Sequence, residues 1–307
     1  MNIVRLAKKS APTAPGISGI FVTGTDTGVG KTMVAVAIAR ALVKRGMRVG
    51  VYKPVETGCR TSTGYAPSRL IGEDGARLAA AVADAHGVAS SSSSAISSSS
   101  AISSQDPAAS SAIPASPAVV AVAAGRKHKP ASCRVSSYLL SQPAAPMVAA
   151  EAEGIRIDPD RLLEDFDTIV SRSDFVVVEG AGGLLVPIAE DFTYRELASE
   201  LGLPLLCVVG SRLGCINHAL LTFDAIDAAE LPLVGYVINQ VSGDDAAAAE
   251  ALSNRAAISS FAARQSLRDL GLFPFVEESG RSDPDALAAV AETCLDLDTI
   301  VEFARGF

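Results

Sequence analysis

Two hydrophobic patterns alternate along this chain. Short apolar runs occupy 19–22, 48–52 (with Arg48 at its edge), 175–178, 205–209 and 233–238. Runs of that length, bounded by glycine, proline or charge, read as strands buried on both faces. Between them the apolar positions follow the 3.6-residue period. Val34, Ile38, Ala41 and Leu42 share one helical face, as do Leu162, Leu163, Phe166 and Ile169. Asp158-Pro159 and Asp283-Pro284 are helix starts, and 72–82 reads as a helix opening with acids. Phe273-Pro274-Phe275 and the helix after Pro284 close the chain. Strands alternating with helices predict an α/β fold: one doubly wound, mostly parallel sheet with helices on both faces.

The first apolar run leads into Gly24-Thr25-Asp26-Thr27-Gly28-Val29-Gly30-Lys31-Thr32. Strand, glycine-rich turn, Gly-Lys-Thr and helix is the arrangement that wraps a nucleotide's phosphates. Loop N–H groups and the helix N-terminus attract the anion. Lys31 would reach the outer phosphates and the Thr32 hydroxyl a Mg2+ ion. Five residues separate Gly24 from Gly30 where the usual spacing is four. The second run ends in Lys53-Pro54-Val55-Glu56-Thr57-Gly58. Ligands sit at the carboxyl ends of strands in such sheets, so Lys53 and Thr57 fall beside the phosphate loop if the first two strands are parallel neighbours. The third run ends in Glu179, followed by Gly180-Ala181-Gly182-Gly183. An acid at the tip of a buried strand is the expected metal-holding partner of a phosphate loop. Asp74, on spacing alone, is a first-turn carboxylate that complements the helix dipole. The helix beginning near Cys215 has free N–H groups that can take an anion. Asn239, at the end of a strand, can read a purine edge.

Composition narrows the class. A net charge of −8 disfavours a nucleic-acid partner. No apolar run approaches the ~20 residues that cross a membrane. Five scattered cysteines, without paired spacing, read as reduced thiols in a cytosol-like compartment. Residues 1–18 read as a flexible leader, with a short organelle-targeting segment as the alternative. The rest, 19–307, reads as one domain. From about 87 to 134 serine runs alternate with Ala and Ile, then prolines and Arg126-Lys127-His128-Lys129 follow. That tract offers little apolar volume against its ordering entropy and reads as a disordered insertion.

Taken together, Gly24 to Thr32, Lys53-Pro54-Val55 with Gly58, Glu179-Gly180-Ala181-Gly182-Gly183, Leu213 to Ala219 and Asn239 resemble dethiobiotin synthetase, a P-loop NTPase-type family. The long phosphate-loop spacing is the family's own form. The resemblance implies an ATP- and Mg2+-dependent cyclo-ligase. It carboxylates 7,8-diaminononanoate with CO2, phosphorylates the carbamate, and closes a cyclic urea. It further implies nucleotide binding by Thr27, Gly28, Val29, Gly30, Lys31, Thr32, Glu179, Gly182 and Asn239. Lys31 and Lys53 are the implied catalytic cations, and Thr32, Asp74 and Glu179 the metal shell. Thr57, Gly214, Cys215, Ile216 and Asn217 would hold substrate, the turn 214–217 acting across a homodimer interface. Gly28 stands where some members have Glu, and Met147 where many have His.

The rival reading is a regulatory ATPase of the MinD/ParA kind. Those carry a signature lysine five positions before the phosphate-loop lysine, where this chain has Asp26.

Overall fold

The computed structural model describes residues 18–62, 69–83 and 135–306. The insertion and its basic tetrad lie outside them, as does the leader apart from Ser18. In chain order the first elements are β1 (Gly19–Gly24), α1 (Lys31–Lys44), β2 (Val49–Tyr52), β3 (Val55–Glu56), β4 (Arg60–Thr61), β5 (Leu70–Ile71) and α2 (Glu73–Ala81). β6 (Tyr138–Leu139), α3 (Pro146–Ala152), α4 (Pro159–Val170), β7 (Phe175–Glu179), β8 (Pro187–Ala189) and β9 (Phe192–Thr193) follow. The chain continues through α5 (Tyr194–Leu201), β10 (Leu205–Ser211), α6 (Cys215–Ala228), β11 (Leu233–Gln240), α7 (Asp245–Ala262), β12 (Asp269–Phe273), α8 (Glu278–Arg281), α9 (Pro284–Cys294) and α10 (Leu297–Arg305).

Six strands form one sheet in the order β12-β11-β10-β1-β7-β2, and every pairing in it is parallel. The expected fold class is thus what the chain adopts. The period of two along a strand divides its side chains between the faces. Ile20 and Val22 join α1, α9 and α10 in one core, while Phe21 enters the opposite core with α4 and α5. Cys207, Val209, Tyr236 and Ile238 pack with α6 and α7 on that second side. Burial on both faces is why these runs are apolar throughout.

Local signals set the helix starts. Asp158 accepts from the Asp160 amide at 3.1 Å, and Asp283 from the Asp285 amide at 2.9 Å, each before a first-turn proline. One expectation changes. β1 and β2 are parallel but not neighbours, because β7 lies between them. The last strand is Asp269–Phe273, ending where Pro274 has no N–H to continue the ladder. No helix among the described residues is long and apolar enough to cross a membrane.

Candidate active site

The phosphate loop joins β1 to α1. Gly30, the N-cap of α1, has φ 92°, and Gly28 has φ 72°, the left-handed region that favours glycine. Space is as tight as conformation. A Cβ on Gly30 would sit 2.1 Å from Asn239 Nδ2, and one on Gly24 would sit 2.7 Å from Val29 Cγ2. The Val29 side chain is buried, so its part in the loop is played by its backbone; its carbonyl accepts from Asn239 Nδ2 at 2.9 Å. Lys31 Nζ donates to the Asp26 carbonyl at 2.8 Å, and the Asp26 carboxylate pairs with Arg212.

β7 carries the centre of the site. Its register sets Glu179 beside Val22 of β1, and Val178 beside Tyr52 of β2. Glu179 therefore stands between the two elements that deliver the lysines. Its Oε1 accepts from Thr32 Oγ1 at 2.8 Å and from Lys53 Nζ at 2.7 Å. Lys53 Nζ also donates to Asp74 Oδ2 at 3.0 Å. Asp74 is in the first turn of α2, as its helix-start reading requires, yet its carboxylate is committed to Lys53.

Burial sets the electrostatics. It opposes charge on Lys53, but Glu179 and then Asp74 outweigh it, and Lys53 titrates above the ordinary lysine range. Burial lifts Glu179 above the usual carboxylate range, against the pull of Lys53. Asp74 is also opposed by burial, but Lys53 holds it below its ordinary value. Lys31 goes the other way: burial lowers it to about 8, with Glu179 resisting and Lys53 adding to the depression.

A cavity of about 630 Å3 opens over this group. Thr27, Gly28, Gly30, Lys31 and Thr32 line one end; Lys53, Thr57, Asp74, Glu179 and Gly182 line the rest. A smaller cavity of about 110 Å3 adjoins at Gly28, Gly30 and Met33, and Asn239 with Phe273 and Pro274 forms its walls. Gly214, Cys215, Ile216 and Asn217 line neither. Cys215 is buried under the α6 N-terminus, while Asn217 is exposed. Glu56, Arg77 and the 143–146 loop also face the large cavity, a part the sequence reading did not assign them. The signal for Glu56 was the acid inside the Lys53-to-Thr57 run.

The residues suit a magnesium ion. Thr32, Asp74 and Glu179 offer only oxygen donors, the chemistry Mg2+ selects. Glu179 Oε2 is buried and has no hydrogen-bond partner, an acceptor left open at the cavity wall.

A parallel sheet with this phosphate loop, a strand-tip acid and two converging lysines defines a P-loop NTPase. A family model described as an AAA domain matches residues 18–80 and 114–282. The chain is 35% identical over 221 residues to the ATP-dependent dethiobiotin synthetase BioD of Aromatoleum aromaticum, covering 72% of this chain and 77% of that protein. It is 35% identical over 223 residues to the protein of that name from Nitrosospira multiformis, covering 73% and 76%. The chain belongs to the dethiobiotin synthetase family. Among solved structures it is similar to a ParA family ATPase from Chlorobium tepidum, at TM-score 0.42 and 12% identity, over 96% of this chain and 100% of that one.

Proposed function

We infer that this protein is an ATP-dependent dethiobiotin synthase. It converts 7,8-diaminononanoate, CO2 and ATP into dethiobiotin, ADP and phosphate. The observation that carries the reading is the convergence of Lys31 and Lys53 on one cavity around Glu179. The reaction must bring a carbamate against a triphosphate, and these anions repel. Cations held in place beforehand lower that barrier without reorganising water.

The steps follow from that need. One amine of the substrate adds to CO2 and becomes a carbamate. Its oxygen takes the γ-phosphoryl group, giving a carbamic–phosphoric anhydride and ADP. The second amine attacks the anhydride carbon, phosphate leaves, and the urea ring closes. Lys31 leaves the Asp26 carbonyl for the outer phosphates. Lys53, kept protonated by Glu179 and Asp74, faces the carbamate. Mg2+, when held by Thr32, Asp74 and Glu179, neutralises charge on the phosphates. Thr27, Gly28, Val29, Gly30 and Gly182 surround the phosphate chain, and Asn239 reads the adenine edge from the smaller cavity.

Thr57 contacts the diamine end. Gly214, Cys215, Ile216 and Asn217 hold the substrate's distal carboxylate in a second copy's cavity, so the working form is a homodimer. These four residues line neither cavity of their own chain, and the neighbouring Leu213 is 96% exposed, an apolar surface for that copy to cover. Free thiols at Cys59, Cys207, Cys215 and Cys294 suit a reducing, cytoplasmic setting.

The test supplies diamine, bicarbonate and ATP and identifies the product by mass. A urea-ring product dependent on all three is expected. ATP hydrolysis indifferent to the diamine and bicarbonate would point instead to a regulatory ATPase.

A further inference from the structure

Helix α2 has no side-chain cap of its own, because its N-cap is Gly72. A residue from another element supplies one. Glu56 Oε1 accepts from the Asp74 amide at 2.8 Å, and Oε2 from the Gly75 amide at 3.0 Å. These are two of the donors that a helix start leaves unpaired. The seat is shaped for this carboxylate. A Cβ on Gly72 would lie 2.2 Å from Glu56 Oε2, and one on Gly75 would lie 3.1 Å from the same atom. Glu56 is 5% exposed. Its strand, β3, is fixed in turn by β6, and the Leu140 amide donates to the Glu56 carbonyl at 2.8 Å.

The amide held by Oε1 belongs to the residue whose carboxylate meets Lys53. If the first turn of α2 frays, that carboxylate leaves the site. We propose that Glu56 is a positioning residue, a clamp reaching from β3 to the start of α2 that fixes Asp74 for the metal and for Lys53. The proposal rests on Asp74 being a metal ligand, as read above. An ordinary cap would act on stability alone; this one acts on metal affinity.

The probe is Mn2+, titrated by its free-ion magnetic resonance signal in the presence of a non-hydrolysable ATP analogue. Glu56→Gln and Glu56→Ala should each weaken Mn2+ binding by about tenfold or more, the range seen when the support of a metal ligand is removed. Analogue affinity without metal should stay within about twofold of the unaltered protein's, since no phosphate-loop residue has moved. Glu56→Ala with Gly72→Ser should recover most of the lost Mn2+ affinity. Gly72 has extended backbone (φ −89°, ψ 119°), so a serine there can cap the helix in the vacated space. Mn2+ affinity unchanged in both single variants overturns the proposal. So does a loss that Gly72→Ser leaves unrepaired, because the carboxylate would then act directly. If Glu56→Ala fails to fold, Glu56→Gln decides. No diamine is present, so failure to make dethiobiotin leaves this result standing.

Discussion

Lys53 Nζ and Glu179 Oε1 lie 2.7 Å apart at the tips of adjacent strands β2 and β7, with both side chains out of water. The same carboxylate takes the Thr32 hydroxyl from the phosphate loop. One acid thus links the phosphate loop to Lys53, the residue proposed above to face the carbamate.

Lys53→Ala should lower dethiobiotin formation by about a hundredfold or more, because on the proposed mechanism the fixed cation facing the carbamate is lost. It should also lower the melting temperature, since an unpaired buried carboxylate costs about 3–5 kcal/mol. Rates are therefore compared at a temperature where circular dichroism shows the variant folded. Near-normal turnover would remove Lys53 from the mechanism.

Glu179→Gln keeps an oxygen for Thr32 but removes the charge. The expected result is a higher Mg2+ requirement with the sheet intact, read as a rightward shift of the metal titration. An unchanged titration would take Glu179 out of the metal shell.

Gly30→Ala should abolish nucleotide binding. The substitution meets both a left-handed backbone at φ 92° and an Asn239 amide nitrogen 2.1 Å from the new Cβ. Calorimetric titration with ADP is the check, and binding within threefold of normal would show that the loop yields.

The depressed Lys31 predicts a pH effect of definite sign. Free Lys31 titrates at about 8, and bound phosphates must raise that value because they favour the ammonium. Binding energy from this group is therefore complete below about 8 and declines as pH rises through it. Above pH 8 the protein should take up a proton on binding ATP, measurable as a dependence of calorimetric heat on the buffer's ionisation enthalpy. Buffer-independent heats would contradict it. Lys31→Ala should abolish both the uptake and the product.

Leu213→Asp tests the second copy. On the proposed homodimer, a charge in place of this exposed leucine should yield a monomer by sedimentation, with diamine affinity greatly reduced and ADP affinity retained. A dimer with normal kinetics would put the carboxylate-binding turn elsewhere.

The sequence by itself determined the phosphate loop, the buried strands and the starts of α4 and α9. Their causes are local: a glycine spacing, an apolar run, an Asp-Pro pair. It also placed Lys53 and Glu179 at strand tips beside the phosphate loop, but it assigned Asp74 only through resemblance to a family, since a first-turn acid looks the same whether or not it meets a lysine. Strand order was decided by tertiary structure alone. Hydrogen bonds between parallel strands leave no mark on either one, so β7 could not be seen to enter between β1 and β2. That insertion is what brings Glu179 within reach of both Lys53 and Thr32. β12 escaped notice because Asp269 and Gly271 interrupt its apolar pattern. Glu56 as the cap of α2 was hidden for the same physical reason: its partners are neighbours in space, and only folding brings a carboxylate from β3 to the amides of Asp74 and Gly75.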